Sequence, residues 1–259
     1  MRLESHLNAA VLQSLPDMDP EAHAFFLDVD GTLLDIAPTP EKVRVPVALK
    51  SDLARLLLRA KGAMSLVSGR SVENLDRLFA PLELPCVGVH GGEIRMLPER
   101  HIEVATHAPI PVEVRKSLLR ISHGRRGLLF EDKGQTFAIH FRQAGPIAQA
   151  LREEIEQCLA AFDMPAMQVL HGKAVFEIKP LQFSKGQAVE KLMQRPPFKT
   201  RRPVFFGDDT TDESAFESVA RLGGIGVSVG RTFPNAQYVL PNPADVRGWL
   251  QRLASEGSA

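Results

Sequence analysis

Two cysteines, Cys86 and Cys158, are too few for a disulfide framework, so an ordinary hydrophobic core must hold this chain together. Net charge is lacking as well. The 31 Lys and Arg balance the 31 Asp and Glu, which removes the electrostatic footprint of a nucleic-acid binder or of a protein drawn to an anionic membrane. No apolar run approaches membrane-spanning length, and residues 1–21 carry no signal-peptide core. Internal repeats and low-complexity tracts are also missing. These absences predict a cytoplasmic globular protein with neither nucleic acid nor membrane as a partner. What is present is 259 residues, 44% of them hydrophobic, enough for one large domain or two modest ones. Cys158 falls on the apolar face of a predicted helix and reads as a small core residue.

Leu3, Leu7, Val11 and Leu15 have helical spacing and predict an amphipathic arm within residues 1–21. Over 22–102 apolar runs alternate with helical patterns: strands at 25–30, 63–68 and 86–90, helices near 47–59 and 72–79. The alternation resumes over 181–259, with a helix to Met193, a strand at 204–206, a helix at 213–222, strands at 225–229 and 238–240, and a helix opened by Pro243. This is βαβ patterning and predicts an α/β fold, a Rossmann-like doubly wound parallel sheet with helices on both faces. Residues 103–180 read differently: helix 112–121, strands 128–132 and 136–142, helix 147–162, strands 167–170 and 175–179. The tight links at Lys133-Gly134-Gln135 and His171-Gly172-Lys173 predict hairpins, hence an antiparallel αββαββ insert, a second and smaller domain.

The richest stretch is Phe25-Phe26-Leu27-Asp28-Val29-Asp30-Gly31-Thr32, an apolar strand ending in two carboxylates. Side chains two apart on a strand point the same way, so Asp28 and Asp30 are expected to converge. Two like charges there call for a cation between them or a shared proton. Gly31 permits a sharp turn directly after the pair. Downstream come Ser68 in Leu66-Val67-Ser68-Gly69-Arg70, Lys185 in Ser184-Lys185-Gly186, and Gly207-Asp208-Asp209-Thr210-Thr211-Asp212-Glu213. Ser68 and Asp208 also follow apolar runs, and the carboxyl ends of parallel strands are where ligands bind.

These four sites in this order resemble the haloacid dehalogenase superfamily of aspartate-nucleophile phosphatases. The resemblance implies Asp28 as nucleophile, an aspartate being ionised at neutral pH without a base. It implies Asp30 as the general acid and then base, with a raised pKa. Mg²⁺ would take Asp28, the main-chain carbonyl of Asp30, and Asp208 as protein ligands. Lys185 would give the phosphate a fixed positive charge and Ser68 a hydroxyl donor. Asp209 and Asp212 are expected either to orient Lys185 or metal-bound water, or to complement a helix N-terminus. The insert occupies the position of the superfamily's mobile cap.

Further stretches resemble the trehalose-6-phosphate phosphatases within that superfamily: Ser68-Gly69-Arg70, His90-Gly91-Gly92-Glu93, Glu131-Asp132-Lys133-Gly134, His140-Phe141-Arg142, and Gly172-Lys173 with Glu177. The resemblance runs from about Ala24 onward; the arm before Glu21 lies outside it, and Gln182 departs from it where many relatives carry Gly. It implies that Glu131, Lys133, Lys173 and Glu177 bind a disaccharide, with Gly69, Arg70 and Arg142 contributing to substrate binding. The strand pattern agrees. Phe137, Ile139 and Phe141 form one face, which leaves His140 and Arg142 pointing away from the apolar stripe, and Glu177 interrupts Ala174, Phe176 and Ile178 in the same way. His90 either serves the site or shapes a loop at a strand end, whereas His107 and His171 read as surface residues. The expected activity is Mg²⁺-dependent hydrolysis of trehalose 6-phosphate. Alternatives are a phosphatase or phosphomutase for another sugar phosphate, such as sucrose 6-phosphate or mannosyl-3-phosphoglycerate, and a catalytically silent sugar-phosphate sensor. A sensor has no need of Asp28, Asp30, Lys185 and Asp208 together.

Overall fold

The computed structural model describes residues 15–37, 42–105, 110–172 and 174–255, and the sheet it contains is organised around β1 (His23–Leu27). The predicted N-terminal helix up to Ser14, His107 and Lys173 lie outside the described residues. Two units divide the chain, one formed by Met1–Glu103 with Lys185–Ala259, the other by Val104–Ser184.

In the first unit β1 is followed by α1 (Val47–Arg59), β2 (Met64–Val67), α2 (Val72–Phe79), β3 (Cys86–Gly88), β4 (Glu93–Arg95) and β5 (Ile102–Val104). After the second unit come α5 (Lys185–Met193), β10 (Arg202–Gly207), α6 (Glu213–Arg221), β11 (Ile225–Val229), β12 (Tyr238–Leu240) and α7 (Pro243–Ser255). The strands lie in the order β12-β11-β10-β1-β2-β3-β4-β5. Every pair from β12 to β3 is parallel, and β4 turns back antiparallel on β3. Strand order therefore reverses at β1, whose neighbours are β2 on one side and β10 on the other, the place where open α/β sheets leave a crevice.

Alternation along the strands explains the two covered faces. Phe25 and Phe206 pack on Trp249 of α7, while their neighbours Phe26 and Phe205 meet Phe198 and Phe216. All four strand phenylalanines are fully buried, and truncating one to alanine is expected to cost about 3–5 kcal/mol. The three-residue strands β4 and β5 are absent from the sequence reading.

The second unit runs α3 (Val112–Ser122), β6 (Leu129–Asp132), β7 (Phe137–His140), α4 (Ala148–Ala161), β8 (Met167–Gly172) and β9 (Val175–Pro180). Its antiparallel sheet has the order β6-β7-β9-β8. Val114 and Leu118 of α3 and Leu151, Ile155 and Leu159 of α4 have helical spacing, and they cover Phe137, Ile139, Phe176 and Ile178. Cys158 lies against this core, partly buried. No helix among the described residues is long and apolar enough to cross a membrane.

Candidate active site

Register brings three sequence-predicted residues to one end of the sheet. Leu27 pairs with Phe206 and with Leu66, so Asp28, Asp208 and Ser68 all leave the carboxyl ends of adjacent parallel strands. The strand itself stops at Leu27, short of the predicted Asp30. The Asp28 N–H still donates to Phe206 O (3.0 Å), and then the chain turns, with Leu33 and Leu34 N–H both donating to Val29 O. Gly31 sits in this turn with φ +87°, and a Cβ there would collide with the Asp208 carboxylate. The strand alternation no longer applies within the turn, and the two aspartates part company. Asp28 points to Lys185 and Asp30 to Arg70.

Lys185, the first residue of α5, is 3% exposed and donates to Asp28 Oδ1 (2.8 Å) and Asp212 Oδ1 (2.6 Å). Asp212 Oδ2 accepts the N–H groups of Asp208 (2.9 Å) and Asp209 (3.0 Å). Asp212 thus fixes both the lysine and the loop carrying Asp208, and Thr32 donates from its hydroxyl to Asp208 Oδ1 (3.3 Å). Asp209 turns elsewhere, capping the short turn at Thr210 and lying 3.5 Å from Arg231. Burial works against the Lys185 ammonium, but Asp212 and Asp28 outweigh it and hold it charged. The Asp28 carboxyl is pushed up by burial and by the charges of Asp212 and Asp208, with Lys185 opposing. Burial is the larger cause, and a surplus of negative charge adds to it, since three buried carboxylates face one ammonium.

Asp28, Asp208 and Asp212 each place a carboxylate oxygen within 4.8 Å of the others, a group able to hold a metal ion. Hard oxygen donors with surplus negative charge suit Mg²⁺. Lys185 and two N–H groups engage the Asp212 oxygens.

Asp30 forms a two-pronged ion pair with Arg70, Nε to Oδ2 at 2.6 Å and Nη2 to Oδ1 at 2.8 Å, while Arg70 Nη1 donates to Asn74 Oδ1 (2.8 Å). The Ser68 hydroxyl is buried and accepts the Arg70 N–H (3.2 Å).

In the second unit Glu131, Ala138 and Glu177 form one row across β6, β7 and β9, two carboxylates either side of a methyl. His140 Nε2 lies 3.0 Å from Glu131 Oε2, and Lys133 Nζ donates to Glu177 Oε1 (3.1 Å). Burial would raise the Glu131 carboxyl, but the His140 hydrogen bond and the Lys133 charge prevail and lower it. Arg142 is exposed.

The chain matches the trehalose-phosphatase family over residues 26–240. It is 38% identical over 244 residues to the trehalose-6-phosphate phosphatase of Escherichia coli (strain K12), covering 94% of this chain and 91% of that protein. The chain belongs to the trehalose-phosphatase family. Its fold is similar to the C-terminal domain of a C. albicans trehalose-6-phosphate phosphatase (TM-score 0.79, 22% identity, 95% of this chain and 96% of that one). It is also similar to a haloalkanoate-superfamily phosphatase of Bacteroides thetaiotaomicron (TM-score 0.59, 14% identity, 91% and 95% covered).

In this trehalose-phosphatase chain the expected core residues Asp28, Ser68 and Asp208 stand at the ends of adjacent strands with Lys185 bonded to Asp28, and Glu131, Lys133 and Glu177 meet on one face of the second sheet. The carboxylate of Asp30 does not join the buried cluster. Sequence reasoning gave Thr32 no part in the site. It placed His140 on the polar face of its strand without a partner, and the structure supplies one in Glu131 of the neighbouring strand.

Proposed function

We propose that this chain is a Mg²⁺-dependent phosphatase of the cytoplasm that hydrolyses trehalose 6-phosphate to trehalose and inorganic phosphate through an aspartyl-phosphate. The observation that carries the reading is the Lys185 ammonium held between Asp28 and Asp212 at the end of β1, beside Asp208. A buried carboxylate kept next to a fixed cation is a nucleophile aimed at an anionic ester.

An Asp28 oxygen attacks phosphorus and the bond to the sugar oxygen breaks. Asp30 protonates that leaving oxygen; to do so it must leave the ion pair with Arg70 and take up a proton from solvent, and the guanidinium is then available to the phosphate dianion. Asp30 next takes a proton from water, which attacks the aspartyl-phosphate, releases phosphate and restores Asp28. Ser68 and Lys185 hold the phosphoryl oxygens. Asp28, Asp208 and the Asp30 main-chain oxygen would hold Mg²⁺, which when bound would supply positive charge against the repulsion between carboxylate and phosphate. The sugar is recognised by the row of Glu131 and Glu177, supported by His140 and Lys133, with Lys173 and Arg142 contributing. Sugar hydroxyls need such paired partners, and a substrate lacking them leaves buried polar groups unpaired.

Phosphate release measured over a panel of sugar phosphates, with and without chelator, tests this. Preferred turnover of trehalose 6-phosphate, abolished by chelation, is expected. Equal or faster release from sucrose 6-phosphate or mannosyl-3-phosphoglycerate would reassign the substrate.

A further inference from the structure

Directly after β3 the backbone does something unusual: Val89 (φ 50°), His90 (φ 55°, ψ 26°) and Gly91 (φ 108°) are consecutive left-handed residues. A β-branched residue in that region is a genuine outlier, and such strain persists only where surrounding structure over-determines it. Val89 and His90 are both buried, His90 to 3% exposure.

The strained turn grips the loop after β2. His90 N–H donates to Ser68 O (3.0 Å) and Val89 N–H to Arg70 O (2.9 Å), while Ser68 N–H donates to Val87 O (2.8 Å). Glu93, just beyond the turn, accepts the Val72 N–H at Oε2 (2.8 Å). The imidazole fills the space beside Gly69: a Cβ there would stand 2.5 Å from His90 Nε2 and 2.6 Å from Cε1. The loop so gripped carries the Ser68 hydroxyl and the Arg70 guanidinium that pairs with Asp30.

We infer that His90 is a positioning residue of the phosphate site, its imidazole locked against Gly69 so that Ser68 and Arg70 are held in register with Asp28 and Asp30. The inference rests on the phosphatase reading above and adds a residue that touches neither phosphate nor sugar. A displacement of about 1 Å at a reacting centre can cost about 10²-fold in rate, so a loop held by four hydrogen bonds and one packed ring governs turnover without contacting substrate.

The test uses His90→Asn, since asparagine tolerates left-handed φ and leaves the backbone turn intact while removing the far half of the ring. The full-length variant should melt close to the wild type and lose about 10²-fold in kcat/KM, equally on trehalose 6-phosphate and on a small aryl phosphate. Gly69→Ala, whose methyl meets the imidazole, should be severely impaired in the wild-type background and much less so alongside His90→Asn, which shows that the ring acts through Gly69, while lost kcat/KM at an unchanged melting temperature separates positioning from a merely structural role. Unchanged kcat/KM in His90→Asn, or the same loss from Gly69→Ala in both backgrounds, overturns the inference. Wild-type enzyme releasing phosphate from neither substrate would instead overturn the phosphatase reading, and the inference with it. Wild-type activity on the aryl phosphate alone would strike the sugar assignment and leave the His90 comparison decisive.

Discussion

Arg70 holds both oxygens of the Asp30 carboxylate, at 2.6 and 2.8 Å, although the sequence had set Asp30 beside Asp28. The proposed acid–base residue is therefore anchored to the loop after β2 and not to the nucleophile. Asp30→Asn is expected to slow release from a sugar phosphate by about 10²–10⁴-fold. An aryl phosphate, whose leaving group needs no proton, should suffer far less. Equal impairment on the two substrates would mean that Asp30 serves the metal or the fold.

Lys185 is the sole ammonium within reach of Asp28 and Asp212 in the ion pairs described. Lys185→Met should abolish turnover and, by leaving buried carboxylates without their partner, destabilise the protein by about 3–5 kcal/mol. Denaturant melts of the two proteins check the second part. Because the defect is surplus negative charge, added Mg²⁺ should recover part of the lost stability.

Metal binding has its own thermodynamic signature. A ligand that binds only the folded state at about 100 times its Kd adds about 2.7 kcal/mol. Titrating Mg²⁺ into chelator-treated protein should raise the melting temperature, and Asp208→Asn should flatten that response. A melting temperature indifferent to Mg²⁺ in the wild type would remove the metal from the site.

Glu131 and Glu177 are the expected specificity residues. Glu131→Ala or Glu177→Ala should lower kcat/KM strongly for trehalose 6-phosphate, in kcat as well as KM, because binding energy from a remote sugar can serve the transition state. An aryl phosphate offers those carboxylates no hydroxyls, so its hydrolysis should be nearly unchanged. A parallel loss on both substrates would show that the glutamates are structural.

Glu103, at the end of the first unit's leading segment, accepts from Arg195 and pairs with Lys191 at 2.9 Å. These partners lower its carboxyl from 4.5 to about 2. A depressed carboxylate contributes stability that is present above its unfolded value and lost as pH falls through its folded one. The contribution of Glu103 should therefore be whole above pH 4.5 and disappear toward about 2. Unfolding measured across that window should be less steep in Glu103→Gln than in the wild type, a small effect because the pair is partly exposed and screened by solvent.

Much of the architecture was legible because its signals are local. The 3.6-residue spacing of α3 and α4, the apolar run before Asp28, and the glycine turn at Lys133-Gly134-Gln135 each depend on neighbours in sequence. Strands β4 and β5 were not legible: β4 pairs with β3 and β5 lies beside β4, a placement that depends on the sheet and not on their own residues. Asp28, Ser68, Lys185 and Asp208 could be named because each stands where an apolar run ends or a helix opens.

Which carboxylate faces which cation was another matter. The chain by itself determined that acids and a serine would stand at the ends of parallel strands and a lysine at the start of a helix. Only the tertiary structure decided that Lys185 bridges Asp28 to Asp212, that Arg70 draws Asp30 away, and that a buried His90 props the loop between them. The physical reason is range. Periodicity and turn chemistry act over a few residues, whereas these pairings join residues up to 157 positions apart, and they follow from strand register and from the point at which a hydrogen-bonded strand gives way to a turn.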